Sequence, residues 1–129
     1  MNDAGEKMRA QPRTIAVIDD DLRVLDSLVN LLASFGYKAD SYTSADQFLS
    51  SGALCRTCCI VTDVEMRKMS GLELLQYLKK DNCDVPVIVI TGKPSERSES
   101  FYLERGAVGF FRKPVDGDAL MDLICSVCC

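Results

Sequence analysis

Short apolar runs alternate with longer amphipathic segments along most of the chain. Four apolar runs of four to six residues have the length and composition of β-strands, and they read TIAVI, CCIVT, VPVIVI and VGFF; a further segment, YKADSY, is predicted as the second strand from its alternation. The segments that follow them carry apolar residues at helical spacing, as at Leu25, Leu28 and Leu32. This alternation predicts five consecutive strand–helix units.

The predicted strands decide the fold class. Most of them are apolar on both faces, which is typical of a parallel sheet covered by helices on both sides. Right-handed crossovers leave few topologies for such units. We therefore expect an α/β fold, a flavodoxin-like (βα)5 doubly wound five-stranded parallel sheet with the strand order 2-1-3-4-5. Residues 1–12 are predicted to form a flexible N-terminal tail, and residues 13–129 a single domain.

Polar residues at the predicted helix starts support this division. Ser44 and Gln47 have the spacing of a capping box, in which each side chain bonds the backbone N–H of the other residue. The same spacing recurs at Ser70 and Glu73. Ser95 is placed to cap the fourth helix.

Composition and charge narrow the class of protein. The 129 residues carry a net charge of −4, which argues against a surface that binds nucleic-acid phosphates. The start of the chain lacks the apolar core of a secretory signal, and no apolar run has the length that a bilayer crossing needs. We therefore expect a cytoplasmic protein that itself binds neither nucleic acid nor membranes.

Seven Cys and no His limit the available chemistry. Without His, catalytic Ser–His and Cys–His pairs and His-ligated metals are excluded. An odd number of Cys without a secretory signal argues against a disulfide framework. Two CxxC pairs, a pattern compatible with a zinc site or a regulatory disulfide, begin at Cys55 and at Cys125. Because Cys58 and Cys59 fall in a predicted strand, we favour core packing for both.

Chemically reactive side chains follow the predicted strands at their carboxyl ends. They comprise four carboxylates, a hydroxyl and an ammonium, from Asp19, Asp20, Asp21, Asp63, Thr91 and Lys113. The carboxyl ends of parallel strands meet at one edge of a sheet. Converging carboxylates repel one another unless a cation lies among them, and Mg²⁺ prefers such oxygen ligands. A carboxylate there can also attack phosphorus and carry an acyl phosphate.

Four motifs resemble those of the receiver domain of two-component response regulators. They read VIDDD, VTDVEM with MSG, VIVITG and GFFRKP, and the resemblance spans residues 14 to about 128. The amino-acid sequences of these motifs are most similar to those of the FixJ-type branch. In that branch, the receiver usually precedes a DNA-binding domain that controls transcription. The resemblance implies a phosphoacceptor switch that receives its phosphoryl group from a sensor histidine kinase or phosphotransfer protein. It implies self-phosphorylation and autodephosphorylation only, without an external substrate.

The resemblance also implies roles in binding metal and phosphoryl groups. Asp63 would be the phosphoacceptor, in a reaction that depends on Mg²⁺ or Mn²⁺. The metal ligands would be three carboxylates and one backbone carbonyl, from Asp19, Asp20, Asp63 and Glu65. Of the adjacent residues Asp19 and Asp20, Asp20 would be the more direct metal ligand. The phosphoryl oxygens would be bound by Thr91 and Lys113.

Other positions would govern switching and the lifetime of the phosphoryl group. Thr91 and Phe110 would move together on phosphorylation, and the fourth helix, fifth strand and fifth helix would form a surface for homodimerisation or an output partner. Glu65 and Lys93 are opposite in charge, and we hypothesise that they pair across the site, hinder water and tune the dephosphorylation rate. The Lys113–Pro114 bond would be cis.

Two other functions are compatible with parts of this pattern. An aspartate-nucleophile phosphohydrolase of the haloacid dehalogenase class uses similar residues, but places its nucleophile after strand one in a DxDx(T/V) motif. Here Asp19-x-Asp21-x is followed by Arg23. A receiver-like interaction module would not be phosphorylated, and the intact acidic residues argue against it.

Two residues have other interpretations. For Asp21 alone we favour the role of a helix N-cap. Arg67 lies where the family usually has Pro, so the backbone of its loop is less restricted.

Overall fold

Five parallel strands form the sheet at the centre of the molecule. The computed structural model describes residues 14–92 and 98–128. The strands are β1 (Thr14–Ile18), β2 (Lys38–Tyr42), β3 (Thr57–Asp63), β4 (Val87–Thr91) and β5 (Gly109–Arg112). They pair in the order β2-β1-β3-β4-β5, so the predicted topology is confirmed.

Helices cover both faces of this sheet. They are α1 (Leu22–Ser34), α2 (Ala45–Ser50), α3 (Gly71–Lys80), α4 (Glu99–Glu104) and α5 (Gly117–Cys128), and a 3-10 turn at Ala53–Arg56 leads into β3. The buried residues of α1 and α5 pack on one face, and those of α2, α3 and α4 pack on the other. The molecule is therefore the doubly wound α/β arrangement that the sequence predicts.

Strand β1 shows why the central strands are apolar throughout. Ile15 and Val17 pack against α1 and α5, whereas Ala16 and Ile18 pack against the opposite layer. All four side chains are at most 1% exposed. Because successive side chains of a strand point to opposite faces, a strand covered on both sides favours apolar residues at consecutive positions.

Two helix starts use the capping residues identified in the sequence. In α3, Ser70 Oγ accepts the Glu73 N–H at 3.1 Å and a Glu73 carboxylate oxygen accepts the Ser70 N–H at 2.9 Å, so the predicted capping box is complete. In α2, Ser44 Oγ accepts the Gln47 N–H, but Gln47 Oε1 accepts the N–H of Thr43 instead. Of the two bonds of the predicted capping box, the one from the Gln47 N–H to Ser44 Oγ is confirmed. The other is wrong, because Gln47 Oε1 accepts from Thr43, the residue before Ser44.

The fourth helix begins later than the sequence pattern predicts. It starts at Glu99, with Ser98 in the N-cap position, and the Ser98 hydroxyl forms a hydrogen bond with the Ser100 hydroxyl at 2.9 Å rather than capping a backbone N–H of the helix. Ser95, the predicted cap, lies outside the described residues, as do Lys93 and the predicted tail of residues 1–12. In the ranges that the structure describes, every helix is too short or too polar to cross a membrane.

Candidate functional site

The ends of four strands bring the reactive side chains to one edge of the sheet. Asp19 follows β1, Asp63 is the last residue of β3, Thr91 is the last residue of β4, and Lys113 follows β5. Backbone bonds extend the sheet to these positions, since the Lys113 N–H donates to the Thr91 carbonyl at 2.9 Å and the Asp19 N–H donates to the Tyr42 carbonyl at 3.1 Å. The sheet therefore fixes the backbone position from which each of these side chains extends.

Lys113 forms ion pairs with two buried carboxylates. Its Nζ lies 3.0 Å from Asp19 Oδ2 and 3.3 Å from Asp63 Oδ1. The two carboxylate side chains are 3% and 5% exposed, so solvent screens these interactions only weakly. Burial lowers the pKa of the Lys113 ammonium, but the bonds and charges of Asp19 and Asp63 raise that pKa by more. Lys113 is therefore held in its charged form.

Asp63 is the carboxylate whose environment least favours its charge. The pKa of Asp63 is raised from 3.8 to about 7, first by burial and then by the neighbouring charge of Asp19, against the opposing effect of Lys113. Asp63 Oδ1 is buried and, among the described residues, accepts no hydrogen bond of good geometry despite its ion pair with Lys113. A buried carboxylate oxygen with unused acceptor capacity is costly unless a further cation or donor binds it.

Three carboxylates converge as a possible metal site. Oxygen atoms of Asp19, Asp20 and Asp63 all lie within 4.8 Å of one another. Asp20 is exposed, whereas Asp19 already accepts the Asp21 N–H at 2.9 Å through its Oδ1 and pairs with Lys113 through its Oδ2. An all-oxygen donor set with an under-coordinated buried oxygen suits a hard divalent cation such as Mg²⁺. Within the described part of the chain, no group of three thiols converges in this way.

A cleft of about 520 Å³ opens above these carboxylates. Its walls include the acidic residues, Lys113 and the loop after β3, through Asp19, Asp20, Asp21, Asp63, Glu65, Met66, Arg67, Gly92 and Lys113. Arg67 therefore places a second cationic side chain at the rim. The Lys113 stem lies directly over Gly92, since a Cβ at Gly92 would come within 3.1 Å of Lys113 Cδ. The cleft has room for a group of phosphate size, and the cationic side chains in its lining are Lys113 and Arg67.

Thr91 is held by a carboxylate that the sequence did not link to it. Its hydroxyl donates to Glu65 Oε2 at 2.8 Å and to Oε1 at 3.0 Å, and Thr91 itself is 1% exposed. Glu65 is half-buried at the mouth of the cleft. The hypothesised pairing of Glu65 with Lys93 stays a prediction, because Lys93 lies outside the described residues.

Phe110 and Pro114 lie on the β5 side of the site. The half-buried Phe110 ring stacks on buried Tyr102 of α4, with centroids 5.6 Å apart and planes at 22°. The guanidinium of Arg112 lies 5.5 Å from the centre of the same ring. The peptide bond between Lys113 and Pro114 is cis. Phe110 thus joins β5 to α4 next to the strand end that carries Lys113.

Asp21 caps a helix. Its carboxylate accepts the Arg23 N–H at 2.9 Å at the start of α1, and this backbone bond lowers the pKa of Asp21. Its two aspartate neighbours contribute to the carboxylate cluster, whereas Asp21 does not. The interpretation of Asp21 as an N-cap agrees with this geometry.

Gly71 supports the site in a way that the sequence pattern did not reveal. A Cβ on Gly71 would come within 2.6 Å of the Asp63 carbonyl oxygen and 3.0 Å of Val64 Cα. The Gly71 N–H donates to the Val64 carbonyl at 3.0 Å, so α3 begins directly against the end of β3. Gly71 belongs to the MSG motif, but only the structure shows the close contact between its backbone and the end of β3.

Comparison with known proteins identifies the family. Residues 15–125 match the family described as the response regulator receiver domain. The FixJ transcriptional regulatory protein of Azorhizobium caulinodans is 41% identical over 107 residues, which are 83% of this chain and 51% of that protein. The response regulator TodT of Pseudomonas putida is 32% identical over 117 residues, covering 91% of this chain and 52% of TodT. The chain belongs to the response regulator receiver domain family of two-component systems, with FixJ-type relatives.

Solved structures agree with this assignment. The crystal structure of FixJ-N superposes with a TM-score of 0.77 at 32% identity, covering 88% of this chain and 91% of that one. The chain spans about half the length of the curated relatives it matches. Among those relatives are transcriptional regulatory proteins, and the family takes part in signalling through histidine kinases.

Proposed function

We propose that this domain is a phosphorylation switch in which Asp63 accepts the phosphoryl group. The observation that carries the proposal is the buried Asp63 carboxylate at the end of β3, which pairs with Lys113 and converges with Asp19 and Asp20. A nucleophile, two further carboxylates for a metal and a fixed ammonium occur together at one edge of the sheet. Structural roles explain each residue singly, but not the convergence of all four.

In the proposed reaction, a carboxylate oxygen of Asp63 attacks the phosphorus atom of a phosphodonor. The new O–P bond forms as the bond from phosphorus to the leaving group breaks, and the leaving group takes the bonding electrons and then a proton. Lys113, already 3.3 Å from Asp63, stabilises negative charge on the transferred group. The product is an acyl phosphate on Asp63, and water returns the residue to a carboxylate.

In this proposal, Mg²⁺ or Mn²⁺ would be held by three carboxylates and one backbone carbonyl, from Asp19, Asp20, Asp63 and Glu65. When bound, the cation neutralises charge on the transferred phosphoryl oxygens. It also opposes the burial and carboxylate repulsion that raise the pKa of Asp63, so that the nucleophile remains ionised. Asp63 Oδ1, which pairs with Lys113 but accepts no well-aligned hydrogen bond from the part of the chain that the structure describes, supports this assignment.

The proposed switch begins at Thr91. A phosphoryl oxygen on Asp63 would compete with Glu65 for the Thr91 hydroxyl, which now donates to both carboxylate oxygens. Movement of Thr91 at the end of β4 would make room beside β5, where Phe110 could change its packing against Tyr102 of α4. The two populated states would therefore differ on the surface formed by α4, β5 and α5.

Partners follow from the family and from that surface. We propose a sensor histidine kinase or phosphotransfer protein as donor, and a phosphorylation-dependent homodimer or output partner on the α4–β5–α5 surface. Leu103 of α4 and Val108 before β5 are 40% and 39% exposed, so apolar area is available there. The curated relatives are about twice as long as this chain and include transcriptional regulatory proteins, so we propose control of transcription as the output.

The test is incubation with Mg²⁺ and acetyl phosphate, followed by intact-mass measurement and peptide mapping. A base-labile adduct at Asp63, formed in a Mg²⁺-dependent reaction, supports the switch. Multiple turnover of phosphate esters would support a phosphohydrolase instead, and the absence of any adduct would support a non-phosphorylated interaction module.

Magnesium alone is expected to stabilise the folded domain. At ten times its Kd, Mg²⁺ should raise the Tm by roughly 5 °C, because it binds the convergent carboxylates only in the folded state. Differential scanning fluorimetry with and without Mg²⁺ measures this. The shift should largely disappear in Asp20→Asn and persist in Asp81→Asn, which removes an exposed carboxylate after α3. Equal shifts in both variants would contradict the metal assignment.

Replacing Glu65 with Asn is expected to speed labelling by acetyl phosphate roughly 3- to 10-fold, because Thr91 no longer has to leave a charged acceptor. Initial rates with and without the additional Thr91→Val substitution form a double-mutant cycle. The gain should vanish in the Thr91→Val background. A gain that persists there would mean that Glu65 acts through its charge alone.

The same Glu65→Asn variant tests the hypothesis that Glu65 and Lys93 hinder the attacking water. An unchanged dephosphorylation rate in this variant would contradict that hypothesis.

A further inference from the structure

Two thiols from distant parts of the chain meet near the start of β3. The Sγ atoms of Cys58 in β3 and Cys128 at the end of α5 lie 2.8 Å apart, although the residues are separated by 70 positions. Both are thiols, with Cys58 half-buried and Cys128 buried. The S–S bond of a disulfide is about 2.05 Å long, so the two sulfur atoms are within about 0.8 Å of bonding distance.

A bulge in β3 gives Cys58 its position. Thr14 of β1 pairs with Thr57 and Ile15 pairs with Cys59, so Cys58 is an extra residue in the ladder. Strict alternation would place Cys58 on the face that Ile60 occupies, beneath α2 and α3. Instead, Cys58 packs with Cys59 against the α1–α5 layer. The bulge therefore turns two consecutive cysteines towards the same face, and the first of them reaches α5.

We propose that Cys58 and Cys128 form a reversible disulfide, so that this pair is a redox-modification site. The oxidant is a peroxide. The Cys58 thiol loses its proton, its thiolate attacks one peroxide oxygen and the O–O bond breaks, so that Cys58 becomes a sulfenic acid while the other oxygen leaves as hydroxide and takes up the proton from Cys58 to become water. Cys128 then attacks the Cys58 sulfur, the S–O bond breaks, and the hydroxide leaves as water with the Cys128 proton. Two thiols and one hydrogen peroxide thus give one disulfide and two waters.

Accessibility assigns the order of these steps. Cys58 is the more exposed of the two and meets the oxidant first, whereas Cys128 is 6% exposed and acts as the resolving thiol. Cys59, although adjacent to Cys58, is 0% exposed in the core. A zinc site is the competing interpretation of the CxxC pairs, but the thiols of the described residues do not converge in a group of three, as zinc requires.

The disulfide would connect the start of β3 covalently to the end of α5. Cys58 lies five residues before Asp63 on β3, which is roughly 16 Å along the strand. The redox site is therefore separate from the acidic cleft, and it does not depend on the proposed phosphorylation of Asp63. Closing a loop of about 70 residues constrains the unfolded chain, so the oxidised domain should be the more stable form.

The test oxidises the purified, fully reduced protein with hydrogen peroxide and counts its thiols under denaturing conditions. Two of the seven thiols should be lost and recovered with dithiothreitol. Non-reducing trypsin digestion should join peptide 57–67 to peptide 113–129, and fragmentation should assign the bond to Cys58 and Cys128. The Tm of the oxidised form should exceed that of the reduced form by roughly 10 °C.

Matched variants separate this pair from the other cysteines. Cys58→Ser and Cys128→Ser should each abolish the linked peptides and the increase in Tm, whereas Cys55→Ser and Cys125→Ser, which change the exposed member of each CxxC pair, should retain both. Having two variants guards against one of them failing to fold. A bond between other cysteines, or oxidation to sulfinic acid without a linked peptide, would overturn the proposal. Mg²⁺-dependent labelling of Asp63 should occur in both redox forms, so its failure would bear on the phosphorylation proposal alone.

Discussion

Asp63→Asn is expected to abolish labelling by acetyl phosphate, with adduct formation falling at least about 100-fold, because an amide cannot replace a carboxylate nucleophile. The substitution keeps the size of the side chain. It removes a buried charge whose pKa is raised to about 7 by burial and by Asp19, so the folded state without metal should gain about 1 to 3 kcal/mol. Intact-mass spectrometry measures the adduct, and urea unfolding without metal measures the stability.

Asp21→Asn is the matched control for this experiment. It makes the same chemical change at the same edge of the sheet, but Asp21 caps α1, and Asn is an equally good N-cap. Labelling should stay within about threefold of the unmodified protein, because the helix start is preserved. If Asp63→Asn were labelled as readily as Asp21→Asn, another residue would be the phosphoacceptor. Loss of stability in Asp63→Asn would mean that the Lys113 ion pair outweighs the burial of the charge.

Gly71→Ala is expected to destabilise the domain by about 2 to 4 kcal/mol, although an alanine in a helix is normally an improvement. The new Cβ would come within 2.6 Å of the Asp63 carbonyl oxygen and 3.0 Å of Val64 Cα, and backbone atoms cannot swing away as a side chain can. Either α3 or the end of β3 must move. Urea unfolding measures the loss, and labelling by acetyl phosphate should fall with it, because Asp63 is displaced.

Gly117→Ala provides the comparison. Gly117 is likewise the first residue of its helix, but the atoms nearest to a Cβ there belong to the Leu31 side chain, with its methyl groups at 3.2 Å and 3.4 Å. That flexible side chain can shift slightly, so the change in stability should stay within about 1 kcal/mol. Equal stabilities for the two variants would show that the contact between Gly71 and β3 is not tight in solution.

The sheet was predictable from the sequence because its strands are covered on both faces. At Ile15, Ala16, Val17 and Ile18, every position is buried, and so short a continuous apolar run is typical of a parallel strand between two helical layers when amphipathic helices flank it. The edge strand β2 was predicted from alternation rather than from an apolar run, since one of its faces is partly exposed. The start of α4 was less predictable, because Ser95 and Ser98 are both residues that favour the N-cap position.

The convergence of Asp19, Asp63 and Lys113 was also predictable, because parallel strands bring their carboxyl ends to one edge. The partner of Thr91 was not. The Glu65 side chain can turn towards several neighbours, and sequence spacing does not choose among them. The meeting of Cys58 with Cys128 was hidden for a different reason. A bulge changes the face of a strand residue, and nothing in the CCIVT pattern marks its position.

The position of Lys113 also has a consequence for folding. Its ammonium already lies between Asp19 and Asp63, so the acidic edge has an internal counter-ion before any metal arrives. Zinc fingers, by contrast, lack a stable fold until their ion binds. The two carboxylates whose repulsion would be most costly in the interior are compensated by a side chain that the sheet itself delivers. We therefore expect this domain to fold without a divalent cation, and a cation that binds the acidic edge would add stability to a fold that already exists.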